Sequence, residues 1–361
     1  MSKGVFIAGT GLACSLGDGV PAAVEALRRG AGGPGKVQVV EGFAWPVHRL
    51  PEAPGPWLER LAAGVRAVAA QCGDGVDPRS GMPLFIGSSS LDAGYEEEGG
   101  AAAGPFAGDL QTFGDAVAQA LDWRGPVFTV STACTSSVNA ALAAMDLLEA
   151  GEAGEALVLG IEAPNRFSVA GFGAMQLLSP QRARPLAAAR DGLVLGEAVA
   201  ALHLRAAPAR WRLRGGANIV DGRNPTGAQH DTIVEVCRAA LARSGLRPAD
   251  IGLVKPQAAG SPANDAIEAG ALRELFGTLL PPLVSFKGAM GHALGASGAA
   301  ELALLMGCAQ AQAWPVLPDA PDPALAVTLA GGQPLRPRHV LALSIGFGGG
   351  HAALVLEDGE A

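Results

Sequence analysis

One pattern occurs twice in this chain and limits what it can fold into. "PVFTVSTACTSSVNAALAAM" (residues 126–145) and "PLVSFKGAMGHALGASGAAELALLM" (residues 282–306) share a plan. Each is a strand-like run, a turn of small residues with one reactive side chain, and an Ala/Leu helix ending in Met. A hydrophobic strand follows each: "EALVLGIEA" in the first half, "HVLALSIGFGGGHAALVLE" in the second. Two copies of one layered unit, with the reactive residues at equivalent helix starts, would set Cys134 and His292 face to face. Alanine-rich segments also resemble one another without duplication, so the wider alternation matters. "GVFIAGTG", "PLFIGSSS", "PVFTVST", "EALVLGIEA", "VAALHLR" and "HVLALSIG" read as strands. "VPAAVEALRRG", "PWLERLAAGVRAVAAQCG", "DAVAQALDW", "DTIVEVCRAALARSG" and "NDAIEAGALRELFG" read as helices. Such alternation predicts α/β layers, and "GVDPRSGMP" and "PVLPDAPDPAL" read as loops.

With 361 residues and 49% hydrophobic content, the chain suits one large α/β domain or two fused halves. Charged residues are only 17%, and there are 51 glycines. That suggests a compact body burying surface by oligomerisation, or simply an Ala/Gly-rich composition. The net charge of −8 and the absence of a basic run argue against nucleic acid. No stretch reaches 18 uncharged apolar residues, so no membrane span is expected. "MSKGVFIAGTGLACSLG" lacks the continuous apolar core of a signal peptide and reads as mature sequence. Cys14, Cys72, Cys134, Cys237 and Cys308 are scattered, without CxxC spacing. This argues against disulfides and structural zinc and for a reducing cytoplasm.

Cys134 sits between a β-rich run and an Ala/Leu helix. A helix start offers unpaired N–H groups and partial positive charge, which lower a thiol's pKa toward neutrality and bind an oxyanion. Thr132, Thr135, Ser136 and Ser137 keep the turn small. On its own, the position also suits a buried, inert cysteine. His292 lies among Gly and Ala, with Lys287 five residues before it and Glu301 nine after. Opposite a nucleophile it is a candidate acid, base or oxyanion donor; alone it could be structural. In "PQAAGSPANDAIEAGALRELFG", Pro262 suits a first helical turn, and Asp265 and Glu268 would complement the dipole. Arg190, Asp191, Gly192, Gly196 and Glu197 form a polar turn before a buried strand. The glycines around Phe347 suggest a mobile turn gating a pocket, or a plain hairpin tip.

In this order, these stretches resemble the β-ketoacyl synthases of fatty acid and polyketide synthesis, within the thiolase superfamily. "STACTSS" resembles their nucleophile elbow, and "RPLAAARDGLVLGE" their RPFD…RDGF…GEG stretch. "KGAMGHALGASG" is similar to their K…GHxxGAAG motif, with Glu301 at the expected offset, and "GFGGGHA" to their GFGGTN loop. "GTGLACSLG" fits their first strand and turn, so the resemblance runs from about residue 4 to residue 357. It implies a thiolase fold of two duplicated halves in five layers, α-β-α-β-α. Residues 1–210 would form the half carrying the nucleophilic cysteine and residues 211–361 the half carrying the histidine. It implies an acyl group on Cys134, delivered from a phosphopantetheine thioester on an acyl carrier protein. A malonyl thioester on the same kind of carrier is then decarboxylated and condensed. Cys134, His292, Lys287, Glu301 and position 257 are the implied catalytic set, with Ser261, Gly346, Phe347 and Gly348 lining or gating the pocket. It implies no metal or organic cofactor, and a homodimer or a heterodimer with another ketosynthase subunit.

One position departs from the pattern. The family's first histidine lies in HGTGT followed by P-x-N-D; here the stretch is "QAAGSPAND", and Gln257 replaces that histidine. An amide donates a hydrogen bond but carries no proton and no charge. The chain is also shorter before Cys134 than the family usually is, so a trimmed dimer-facing region is expected. Three readings follow. The first is a variant condensing enzyme of fatty acid or polyketide type, aryl polyenes included. The second is an acyltransferase that loads Cys134 without decarboxylation. The third is a partner subunit like a chain-length factor. Arg182, Arg184 and Arg190 form the densest basic cluster, and Arg182 or Arg184 is the expected contact for an acidic carrier.

Overall fold

The computed structural model describes residues 4–99, 109–332 and 334–361. Its main sheet contains β1 (Val5–Cys14), β2 (Leu84–Gly87), β3 (Val127–Val130), β4 (Glu155–Glu162), β5 (Ala198–Arg205), β6 (Trp211–Val220), β7 (Leu253–Lys255), β8 (His339–Gly346) and β9 (Gly350–Asp358). The spatial order is β3-β2-β4-β5-β1-β6-β9-β8-β7. Along the first half, β3–β2 and β2–β4 are parallel, and β4–β5 and β5–β1 antiparallel. In the second half, Leu283 bridges β7 in parallel, β7–β8 is parallel, and β8–β9 and β9–β6 are antiparallel. The two halves therefore repeat one strand order and one set of directions. They meet where Val5, Phe6 and Ile7 of β1 pair with Leu213, Arg212 and Trp211 of β6.

The helices are α1 (Val20–Arg28), α2 (Trp57–Gln71), α3 (Leu110–Leu121), α4 (Ser136–Glu149), α5 (Phe167–Ala174), α6 (His230–Ser244), α7 (Pro262–Phe276) and α8 (Ser297–Ala311). Helices α4 and α8 touch each other and both halves of the sheet. Their apolar residues form one core with Leu202 of β5 and Leu354 of β9. On α8, residues from Ser297 to Met306 are buried without interruption, as a helix that is apolar on every face requires. Outer helices bury one face only. Trp57, Leu61, Val65 and Val68 of α2 pack with Phe113 and Val117 of α3 on the first half. Ile233, Val236 and Leu241 of α6 pack with Leu272 and Phe276 of α7 on the second. The five layers are thus outer helices, half-sheet, α4 with α8, half-sheet, outer helices.

The predicted strands and helices fall where the residue pattern puts them, with shifts at the ends. Helix α3 begins five residues before the predicted start at residue 115, because the Asp109 carboxylate caps it by accepting the Thr112 N–H at 2.9 Å. Strands β6 and β7 are additions to the predicted set. So is a small sheet of Gly35–Val40, Phe43–His48 and Leu195–Gly196. Residues 347–349 are the tip of the β8–β9 hairpin. No described helix is long and apolar enough to cross a membrane.

The central pair depends on close approach. A Cβ at Gly298 would lie 2.4 Å from Val138 Cγ2 and 2.8 Å from Ser137 Oγ. The Ser137 hydroxyl accepts the Ala299 N–H at 3.1 Å across the same contact. We expect Gly298→Val to force α4 and α8 apart and to cost about 1–3 kcal/mol. Chemical denaturation measures this, and an unchanged midpoint contradicts the packing argument.

Candidate functional site

The elbow around Cys134 is built by local hydrogen bonds. Strand β3 ends at Val130, and Ala133 takes a left-handed φ of 51°, which turns the chain sharply into α4. The Ser136 hydroxyl donates to Ala133 O at 2.6 Å and accepts the Thr132 N–H at 2.9 Å. Thr135 Oγ1 donates to Thr132 O at 2.6 Å. From the second half, Ser344 Oγ donates to Cys134 O at 2.8 Å. Gly346 permits this approach, since a Cβ there would lie 3.1 Å from Cys134 N.

His292 comes from the equivalent place before α8. Its Nε2 lies 3.0 Å from Cys134 Sγ and its Nδ1 2.9 Å from Ser297 Oγ. The two residues expected to face each other do so. Their protonation differs from the expectation of a thiol lowered toward neutrality. Burial pushes the Cys134 thiol up to about 12; Lys287 and the N–H groups of Phe347 and Cys134 favour the thiolate, and Glu162 opposes it. Burial pushes His292 down to about 3; Lys287 and Lys255 act the same way, and Glu301 opposes them. The resting pair is a neutral thiol beside a neutral imidazole, because desolvation outweighs the helix start.

Gln257 completes the group. Its Nε2 lies 3.4 Å from His292 Nε2, and its Oε1 is buried without a hydrogen-bond partner. Its loop is clamped from α7. The Glu268 carboxylate accepts the Gln257 and Ala258 N–H groups at 2.7 and 2.8 Å. Asp265 accepts those of Gly260 at 3.1 Å and Leu186 at 2.9 Å. These two carboxylates therefore bind loop amides, where a role toward the helix dipole is expected from the sequence. Burial raises both, Glu268 to about 7 and Asp265 to about 6. Ser261 caps α7 by accepting the Asn264 N–H at 3.4 Å.

Cys134, His292, Gln257, Ser261, Phe172 and Phe347 line a narrow cavity of about 50 Å³. Phe172 of α5 and Phe347 stack at 5.2 Å with an interplanar angle of 13°. Gly346 lines the same cavity, whereas Gly348 lines a different one, with Thr132, Asn139 and His351. The Phe347 turn is both hairpin tip and cavity wall. Gly348 N–H donates to Pro225 O at 2.7 Å, and Asp221 N–H donates to Gly349 O at 2.9 Å. Lys287 and Glu301 are buried and paired with each other, and neither lines the cavity. Lys255, which the motifs do not mark, also binds Glu301, with Nζ to Oε2 at 2.7 Å. Ser297 and Phe172 were equally unmarked. Glu162 was too; it accepts the Ser89 N–H at 2.5 Å and the Gly295 N–H at 3.1 Å. A lysine or glutamate closing an apolar strand, as in "LVK" and "EALVLGIE", is the one available signal. Among the described residues, no group of three or more His, Cys, Asp or Glu side chains could hold a metal ion.

The two expected docking arginines, Arg182 and Arg184, and their neighbour Arg190 are all engaged. Arg182 pairs with Asp319 at 2.9 Å, Arg184 with Asp191 at 3.3 Å and Arg190 with Asp322 at 2.8 Å.

The chain matches the β-ketoacyl synthase N-terminal domain over residues 74–209 and the C-terminal domain over residues 213–319. It is 33% identical over 267 residues to a Streptomyces cyaneus protein carrying the name polyketide beta-ketoacyl synthase 1; the match covers 66% of this chain and 62% of that relative. It is 28% identical over 342 residues to nodulation protein E of Rhizobium sp. strain N33, covering 84% of this chain and 85% of that one. One chain of a solved complex of a ketosynthase with its chain length factor, from Xenorhabdus doucetiae, superposes with a TM-score of 0.85 at 25% identity. That superposition covers 99% of this chain and 98% of the other. The chain belongs to the β-ketoacyl synthase family.

Proposed function

We propose that this protein is a condensing enzyme of fatty acid or polyketide type that carries its acyl group on Cys134. The observation that carries the reading is the 3.0 Å contact between Cys134 Sγ and His292 Nε2, beneath the N–H groups of Cys134 and Phe347. The substrates are acyl and malonyl thioesters on the phosphopantetheine arm of an acyl carrier protein. Residues 1–210 then act as the cysteine half and 211–361 as the histidine half, and the working protein is a homodimer or a heterodimer with another ketosynthase subunit.

In loading, Cys134 Sγ attacks the acyl thioester carbonyl while its proton passes to His292 Nε2. The Phe347 and Cys134 N–H groups receive the developing oxyanion. The carbonyl–sulfur bond to the carrier breaks, and the departing pantetheine sulfur takes the proton back. In condensation, the malonyl carboxylate leaves as carbon dioxide, and its electron pair passes through the α-carbon to the thioester oxygen. His292, in the tautomer with its ring proton on Nε2 and Nδ1 accepting from the Ser297 hydroxyl, and the Gln257 amide N–H are the donors facing that oxygen. The α-carbon then attacks the Cys134-bound carbonyl, the carbon–sulfur bond breaks, and the departing Cys134 thiolate takes a proton from water to restore the resting thiol. Lys287, on Glu301, biases the site toward negative charge without touching the substrate. Arg182, with its side chain 42% exposed against 15% for Arg184, is the better placed of the two for carrier contact.

A chain-length-factor-like partner subunit is the second reading, and Gln257 in place of a histidine favours it. Release of carbon dioxide from malonyl-loaded carrier separates the two. We expect slow release by the protein alone and a further fall of about a hundredfold to a thousandfold in Gln257→Ala, the cost of losing one oxyanion donor. Release only with a second subunit, insensitive to both Cys134→Ala and Gln257→Ala, overturns the enzyme and leaves the partner. Loading without any release leaves the acyltransferase.

Covalent loading is read by intact mass. Incubation with acyl carrier thioester should add one acyl group, and Cys134→Ala should abolish the addition; an unchanged shift rejects Cys134 as acceptor. The resting protonation state is read by iodoacetamide. A thiol held near 12 is protonated at neutral pH, so Cys134 alkylation should still be rising at pH 9. A rate already flat between pH 6 and 8 would instead report a resting thiolate–imidazolium pair.

A further inference from the structure

Lys255 is the last residue of β7 and lies two positions before Gln257. Its Nζ is 2.7 Å from Glu301 Oε2, while Lys287 Nζ binds Glu301 Oε1. The three side chains are at most 3% exposed. One lysine is enough to neutralise one carboxylate. The second leaves a net positive charge away from water, a costly arrangement that an apolar side chain would avoid. Glu268 on α7 is the other carboxylate facing Lys255, and burial holds it up to about 7. Its oxygens already accept two loop N–H groups. Burial also pulls Lys255 down to about 8, with Glu301 and Glu268 opposing and Lys287 adding to the fall. The ammonium form therefore predominates at neutral pH. His292 feels this charge together with that of Lys287.

The cluster lies behind a site whose donor at 257 is uncharged. We propose that Lys255 is a positioning residue which, through Glu301, supplies a second buried positive charge for the anion formed at the thioester oxygen. This rests on the condensing reading above. A charged strand end and a neutral amide two residues later divide what a protonated imidazole would combine: the amide gives direction, and the lysine gives charge.

The test compares the full-length protein with Lys255→Gln, Lys255→Met and Lys255→Arg, with thermal unfolding to identify folded variants. Carbon dioxide release from malonyl-loaded carrier is measured from pH 6 to 9.5. A lysine titrating near 8 is charged below that pH and neutral above it. The unmodified rate should therefore fall as pH rises through about 8. Lys255→Gln or Lys255→Met should be about tenfold slower at pH 7 and lack that fall. Lys255→Arg, which stays charged, should recover rate and keep it at high pH. A second readout needs no turnover. With labelled histidine, the His292 ring resonance, assigned by its loss in His292→Ala, should inflect near pH 8 in the unmodified protein and not in Lys255→Gln or Lys255→Met. An inflection that persists in a folded uncharged variant, or an unmoved rate profile, overturns the proposal. If the unmodified protein releases no carbon dioxide, the condensing reading falls, and the resonance still decides whether Lys255 charges the site.

Discussion

Helices α4 and α8 must touch along their first turns, and the rest of the protein is arranged around that contact. Cys134 and His292 lie 158 positions apart in sequence and come within 3.0 Å because the two helix starts share a small-residue crossing. Gly298 lies against Val138, and Gly160 of β4 lies under Ala296, where a Cβ would approach to 3.1 Å. A side chain at either place separates the Cys134 thiol from the His292 imidazole before it alters any chemical group. Gly87 of β2 serves the same end, since a Cβ there would meet Ser137 N at 2.5 Å. Glycines at the centre of this fold are thus tied to distance between elements more than to backbone freedom.

The same burial that fixes the distance sets the electrostatics. Desolvation holds the thiol protonated and the imidazole neutral. Behind the pair lies the ion cluster of Lys255, Lys287 and Glu301. Glu268 and Asp265 serve another purpose: they hold four consecutive backbone N–H groups, from Gln257 to Gly260, and so fix the loop that carries the amide.

Much of this was legible in the residue pattern, and the exceptions have a common cause. Strand β8 matches its predicted span of residues 339–346, and Cys134 and His292 stand where the repeated unit puts them. Strand β6 opens with a strand-like alternation of Trp211 and Leu213 with Arg212 and Arg214, but that alternation is only four residues long before two glycines interrupt it. Strand β7 is three residues long and ends in a lysine, a residue type that reads as solvent-facing. Lys255 and Glu162 owe their burial to partners far away in sequence, which the local pattern barely encodes. The thiol's raised pKa is of the same kind. A helix start is visible in sequence, while the apolar enclosure that overrides it is assembled from both halves of the chain.

The repeated strand order has one more consequence. Two identical half-length chains related by a twofold axis would bring the same residue to both helix starts, cysteine against cysteine or histidine against histidine. A symmetric pair could never oppose one of each. Joining the two copies in a single polypeptide removes that restriction, so the meeting of one cysteine with one histidine is made possible by covalent continuity between Arg205 of β5 and Trp211 of β6. In that sense the short link between the halves shapes the composition of the site without coming near it.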